Sequence, residues 1–200
     1  MATYIFQKIA KDGQASGVET GSEEARDWFR DQAASVGQVN IQKEMKNRDR
    51  LYNKMTQQDV GRMYHFFYDP KHKDTLPFYD RFPLIFVMDI YKDGFLGMNL
   101  HYLPPTFRAR LMDRLYSIER LDNVRDSKKL RMSYQLLAGI SKFNYFQPTV
   151  KRYLTSHVRS RYLWVPAEEW DIALFLPTER FKKNKKASVW TNSKSKIRKN

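Results

Sequence analysis

Phe82-Pro-Leu-Ile-Phe-Val-Met-Asp-Ile-Tyr-Lys-Asp-Gly-Phe-Leu-Gly-Met-Asn-Leu-His-Tyr-Leu103 decides the fold. Two runs dense in β-branched and aromatic residues flank Lys92-Asp93-Gly94, and Asp-Gly between such runs signals a hairpin. Upstream, Met63-Tyr-His-Phe-Phe-Tyr68 has the same character and stops at Asp69-Pro70. Three short strands joined by a proline-rich loop at Pro70–Pro83 predict a small antiparallel SH3-like β-barrel or curled sheet. Gly97 interrupts the return strand and marks a bulge or a close backbone approach.

Helices flank this module. Thr20-Gly-Ser-Glu23 is a capping-box pattern, with Thr20 or Ser22 as the cap. It opens a helix of about residues 23–36 that places Trp28, Phe29, Ala33 and Val36 on one side. A second, polar helical stretch runs from Ile41 to Met55. Pro104-Pro105-Thr106 caps a third, striped by Phe107, Leu111, Met112, Leu115 and Ile118. Asp126 or Ser127 caps a fourth, to about Ile140. Pro148 suits the first position of a fifth, over 148–161, whose Val150, Tyr153, Leu154, His157 and Val158 fit helical spacing. Tyr162–Val165 is a short strand, Pro166–Trp170 starts a helical turn, and 171–176 is ambiguous between strand and helix. The class is therefore α+β: a central β module with flanking helices and a disordered basic C-terminal tail. The expected division is an N-terminal helical arm at 1–61, a core at 62–180 with its β module at about 62–104, and the tail at 181–200.

The chain has 200 residues, 42% of them hydrophobic, which is too apolar for wholesale disorder. It has no cysteine, which excludes disulfide scaffolds, thiolate metal sites and thiol catalysis. No apolar run approaches the roughly 20 residues that span a bilayer, so no membrane partner is expected. The formal net charge is +14 and points to a polyanionic partner. The surplus is local: residues 1–141 hold 22 basic and 18 acidic side chains, whereas 142–200 hold 14 and 4. Lys182, Lys183, Lys185, Lys186, Lys194, Lys196, Arg198 and Lys199 share the last twenty residues with no acid and with one tryptophan, Trp190. So few apolar groups cannot offset the entropy of ordering, which predicts a tail that orders on a polyanion. Trp190 either stacks on a base or folds back onto the domain. On the 148–161 helix, Lys151, Arg152, Arg159 and Arg161 lie mostly off the apolar stripe and extend the cationic surface. Such contacts hold a phosphate backbone and carry no sequence code.

No phosphate-binding Gly-rich loop, G-x-S-x-G or H-E-x-x-H is present. His65, His72, His101 and His157 show no metal-ligand spacing and read as structural or solvated, so neither metal nor cofactor is expected. Asp80, Asp89 and Lys92 approach the acid–acid–lysine set of a metal-dependent nuclease, but the spacing is wrong. On one strand Asp89 and Lys92 would point to opposite faces. No catalytic residue is assigned.

Phe66-Phe-Tyr-Asp-Pro-Lys-His-Lys-Asp-Thr-Leu-Pro-Phe-Tyr-Asp-Arg-Phe-Pro-Leu84, Asp93-Gly-Phe-Leu-Gly-Met-Asn-Leu-His-Tyr-Leu-Pro104 and Glu169-Trp-Asp-Ile-Ala-Leu-Phe-Leu-Pro-Thr-Glu-Arg-Phe181 resemble the virion proteins of T4-type tailed phages, most closely the DNA end protectors. The resemblance spans most of residues 1–190 and carries no assigned site residue. It implies a stoichiometric protein that caps the ends of packaged double-stranded DNA and shields them from host exonuclease. Its place would be the virion, and the host cytoplasm during assembly and after DNA entry, with other virion proteins as further partners. A structural head–neck or baseplate component is the rival reading, and a metal-dependent nuclease a third. End recognition asks for a pocket or a stacking aromatic, for which Trp190 and Tyr79 are the candidates.

Overall fold

The computed structural model describes residues 4–19, 22–119, 125, 128, 129, 132, 135–137, 139 and 147–198. Its frame is the expected hairpin, β4 (Leu84–Tyr91) against β5 (Gly94–Asn99), with Tyr91 opposite Gly94. The register slips between Val87 and Asp89, so the extra residue lies on β4, opposite Gly97 and Leu96. Gly97 also permits close packing, since a Cβ there would stand 2.8 Å from Ile85 Cδ1. Gly94 is needed for space as well: a Cβ would lie 1.9 Å from the Tyr153 carbonyl oxygen on the neighbouring strand. Gly94→Ala therefore forces backbone apart. It is expected to cost about 2–3 kcal/mol, read as a lowered urea midpoint with unchanged slope.

That neighbouring strand is β6 (Val150–Leu154), which runs antiparallel to β5 with Tyr153 opposite Phe95. The helix expected over 148–161 is not formed. Residues 150–154 take ladder hydrogen bonds from β5, Thr155–His157 make one 3₁₀ turn, and Val158 bridges to Tyr68. Strand alternation turns Tyr153 into an aromatic cluster with Phe66, Phe95 and Tyr162, with Phe66 edge-on to all three rings. β7 (Tyr162–Val165) pairs with β2 (Met63–His65) and with β1 (Leu51–Tyr52). The sheet order is β1-β7-β2-β4-β5-β6, antiparallel throughout, and its edges β1 and β6 do not pair. The fold is α+β with an open sheet, which corrects the barrel alternative.

The opposite sheet face carries Met63, Leu84, Phe86 and Met98. Helices α1 (Ile5–Ala15), α2 (Glu23–Ser35), α4 (Pro105–Glu119) and α5 (Trp170–Phe175) cover it through Phe6, Ile9, Phe29, Leu111, Leu115 and Ile172. Ser22 caps α2 by accepting from Ala25 N–H at 2.9 Å. The long helix expected over Ile41–Met55 shrinks to α3 (Ile41–Glu44). Tertiary partners win there: the Glu44 carboxylate accepts from Ile5 N–H at 2.7 Å, and Leu51 joins the sheet opposite Leu163. The helix expected from residue 126 to 140 lies largely outside the described residues. Among those residues no helix is long and apolar enough to cross a membrane.

The C-terminal segment is ordered where its composition predicts disorder. β3 (Tyr79–Asp80) pairs with β8 (Phe181–Lys182), and α6 (Lys186–Arg198) follows. Three tertiary features explain it. Val189 is fully buried, Ser193 is buried, and the indole N–H of Trp190 donates to the His101 carbonyl at 2.9 Å.

Candidate nucleic-acid interface

β3 and β8 are two residues each, yet they bring four separate stretches of chain together. Past Asp80, Arg81 N–H donates to the Arg180 carbonyl at 2.9 Å, and the Arg81 carbonyl accepts from Tyr68 N–H at 3.0 Å. Phe67 is thereby set beside Arg81 and Arg180, and the 38–42 stretch closes the other side. Between them lies a cleft of about 560 Å³ lined by Gln38, Val39, Asn40, Ile41, Gln42, Phe67, Arg81, Arg180, Phe181 and Lys182. Its lining side chains carry three cations and no acid. Arg159 does not line the cleft but is joined to it through the backbone, its N–H donating to the Phe67 carbonyl at 2.8 Å. Arg159 and Arg81 both help hold the neighbouring Asp69 carboxyl below its usual value, after the larger effect of its hydrogen bond from Lys73.

A buried polar network fixes the cleft's back wall. Asp80 accepts from His101 Nδ1 at 2.6 Å, from Phe82 N–H at 3.1 Å, from Arg180 N–H at 3.2 Å and from Asn99 at 3.3 Å. Arg108, wholly buried, donates to the carbonyls of Leu103 and Leu174 and to the Glu179 carboxylate at 2.7 Å. Burial would raise the carboxyl of Glu179, but His101 and Arg108 outweigh it and hold the group at about 2. Asp80 is likewise held low by His101 and its donors against the effect of burial. Both folded values are depressed, so both groups contribute stability that is complete above the ordinary carboxylate range and lost as pH falls toward 2. The urea midpoint at pH 2.5 is expected to lie well below that at pH 5; equal midpoints would contradict the network's role.

The structure disperses the residues expected to form one cationic helix face. Strand alternation puts Lys151 and Arg152 on opposite sides of β6. Lys151 Nζ sits 4.3 Å from the centre of the Tyr102 ring, which packs edge-on against Phe181 of the cleft. Arg152 turns away to ion-pair with Asp93 and lie over Tyr91 at 4.3 Å. Arg161 is exposed. In the C-terminal segment Lys182 lines the cleft, while Lys183 caps the carbonyls of Asp74 and Leu76 at 2.7 and 3.0 Å. Lys185 is exposed, and Lys186 lies 5.7 Å from the Trp190 ring. Trp190 has folded back: Arg108 approaches its ring from within the domain, so it is no free stacking surface. Tyr79 pairs with Lys182 in the small sheet. Lys194, Lys196 and Arg198 lie on the last turns of α6, and Lys199 is outside the described residues.

The comparison with protein families is decisive at this point. The model of the family described as Phage T4 terminal DNA protecting protein matches residues 5–197. The chain belongs to this family. No curated protein and no solved structure matches it.

The function is that of a terminal DNA protecting protein: it caps the ends of phage DNA. Arg81 and the uncharged Phe67 and Phe181 escape a reading by charge, and Arg180 lies beside Glu179 just before the run of cations that begins at Lys182. The one signal that held them was the resemblance, whose stretches Phe66–Leu84 and Glu169–Phe181 are those that β3 and β8 join. Among the described residues no three His, Asp or Glu side chains are grouped to hold a metal. Asp80, the first acid of the nuclease alternative, spends its oxygens on His101, Asn99 and two backbone N–H groups.

Proposed function

We propose that the protein caps linear double-stranded DNA by occupancy, without catalysis, through the face formed by Arg81, Arg159, Arg180 and Lys182, with Lys151 extending it. In this reading it travels with the packaged DNA in the virion and denies the terminus to host exonuclease after entry. The family match over residues 5–197 carries the proposal. The one-signed rim of a cleft beside an ordered basic helix supports it, because phosphate oxygens are the acceptors such a rim would fill. The contacts are sequence-blind, and each phosphate neutralised adds about −0.9 to the slope of log affinity against log salt.

The test is competition near physiological salt between linear duplex and the same DNA as a closed circle. Linear DNA is expected to win in proportion to its ends. Equal competition by mass would remove the end-capping reading and leave a general DNA binder.

A further inference from the structure

The cleft holds more than a phosphate rim. Two half-buried aromatic rings, Phe67 and Phe181, line the same space as Arg81, Arg180 and Lys182, and the amide side chains of Gln38 and Gln42 are exposed at its other wall. Each class suits one part of a nucleotide. A ring offers a flat apolar face that any base can stack on; a primary amide donates and accepts, and so meets any base edge; the cations meet phosphate. The volume of about 560 Å³ is that of a small-ligand pocket and not of a groove for a whole duplex.

The geometry also selects where on DNA such a pocket can act. Inside a duplex the bases are stacked on both faces, and the surface offered to protein is convex and phosphate-coated. A terminal base has one face already unstacked and leaves its partner at the least cost. The cleft is concave, with rings on its walls, so an end can fill it and an internal segment cannot.

The pocket is built to hold its shape. Phe181 is braced from behind by Tyr102 and Phe78, with ring centres at 5.3 and 6.5 Å. Immediately after Lys182 the chain turns through Lys183 at φ 67°, the left-handed region, which is uncommon for a residue other than glycine. The Lys183 ammonium holds that turn by its two bonds to the 74–76 loop. Arg180 is held by bonds from its guanidinium to the carbonyls of Pro177 and Glu179 and, across the cleft, Val39, which leave part of its five N–H groups to donate. Arg81 is exposed and lines the cleft.

We infer that this cleft is the end-recognition pocket: it takes one unpaired terminal nucleotide of a DNA strand, base against Phe67 and Phe181, phosphate on Arg81 and Arg180. The inference rests on the capping reading and adds to it the feature that tells an end from the rest of the duplex. It assigns end preference to the aromatic pair and backbone affinity to the cations.

The test uses the full chain and short duplexes that differ only at their ends. One carries a terminal mismatch, which frees the last base; the other an interstrand crosslink at the terminal pair, which forbids it to open. The mismatched end is expected to bind about tenfold more tightly, the worth of one stacked base. 2-Aminopurine at the terminal position should change its fluorescence on binding, while the same probe in mid-duplex should not. Phe181→Leu keeps an apolar contact with Tyr102 and Phe78 but removes the stacking face. It should abolish the terminal fluorescence change and the mismatch preference, with affinity for closed circular DNA changed less than twofold. Equal affinity for mismatched and crosslinked ends, with exonuclease protection intact, would overturn the pocket and leave capping standing. Absence of protection by the unaltered protein would overturn both.

Discussion

Arg108→Met is expected to lose about 3–5 kcal/mol of folding stability, the cost of removing one partner of a buried ion pair. The guanidinium is wholly buried and holds four acceptors at once: the carbonyls of His101, Leu103 and Leu174 and the Glu179 carboxylate. Methionine fills much of the same volume and supplies no donor. Three carbonyls then lose this donor, and a carboxylate that is almost wholly covered keeps His101 but loses its ion-pair partner. A loss of about 3–5 kcal/mol is a fifth or more of the about 5–15 kcal/mol that ordinarily separates folded from unfolded chains. Urea denaturation at pH 7 reads it directly as a lowered midpoint. Adding Glu179→Gln should restore part of the loss, since it removes the stranded charge and leaves only the unpaired carbonyls. A single variant within 1 kcal/mol of the unaltered protein would show that the network does not set the wall of the cleft.

Neutralising Arg81, Arg159 and Lys182 together, each to glutamine, should weaken DNA binding on the order of a hundredfold at low salt. All three side chains are exposed, and changes at such positions leave stability within about 0.5 kcal/mol. The effect is therefore separable from unfolding. Its signature is in the salt dependence: the slope of log affinity against log salt should become shallower by about 0.9 for each phosphate the variant no longer neutralises. Lys8→Gln, Lys11→Gln and Lys92→Gln remove the same charge from exposed positions that do not line the cleft, and should cost less than about threefold. An Arg81, Arg159 and Lys182 variant no weaker than this control would mean that total charge, and not this face, binds DNA.

The hairpin was legible because its signals are local: two strand-forming runs around Lys92-Asp93-Gly94, each carrying its own propensity. The 148–161 segment mimics a helix because Val150, Tyr153, Leu154 and Val158 fit a helical stripe as well as a strand with a turn after it. What decides between them is the free edge of β5 and the bare Cα of Gly94, which let β6 approach, and neither is visible in the segment itself. The disorder expected after residue 181 failed for the same reason. Val189 and Trp190 look stranded in a polar tail, and they are not, because the His101 turn lies where the tail passes. Charge asymmetry points to Arg159 and Lys182 but not to Arg81, a single cation beside Asp80, and Arg180 falls just outside the acid-free last twenty residues, next to Glu179. A two-residue strand pair joins Arg81 and Arg180, and pairing across a hundred residues of sequence leaves no local trace.

If the chain protects DNA by sitting on its ends, the number of ends and not the length of duplex sets how much protein is needed. The most direct measurement is survival of linear duplex DNA under a processive double-strand exonuclease, titrated with protein at constant DNA mass but with the DNA cut into progressively more fragments. The amount of protein needed for full protection should rise in proportion to the number of ends and be indifferent to the total length. Protection that scales with base pairs at any number of ends, or no protection at saturation, would contradict it.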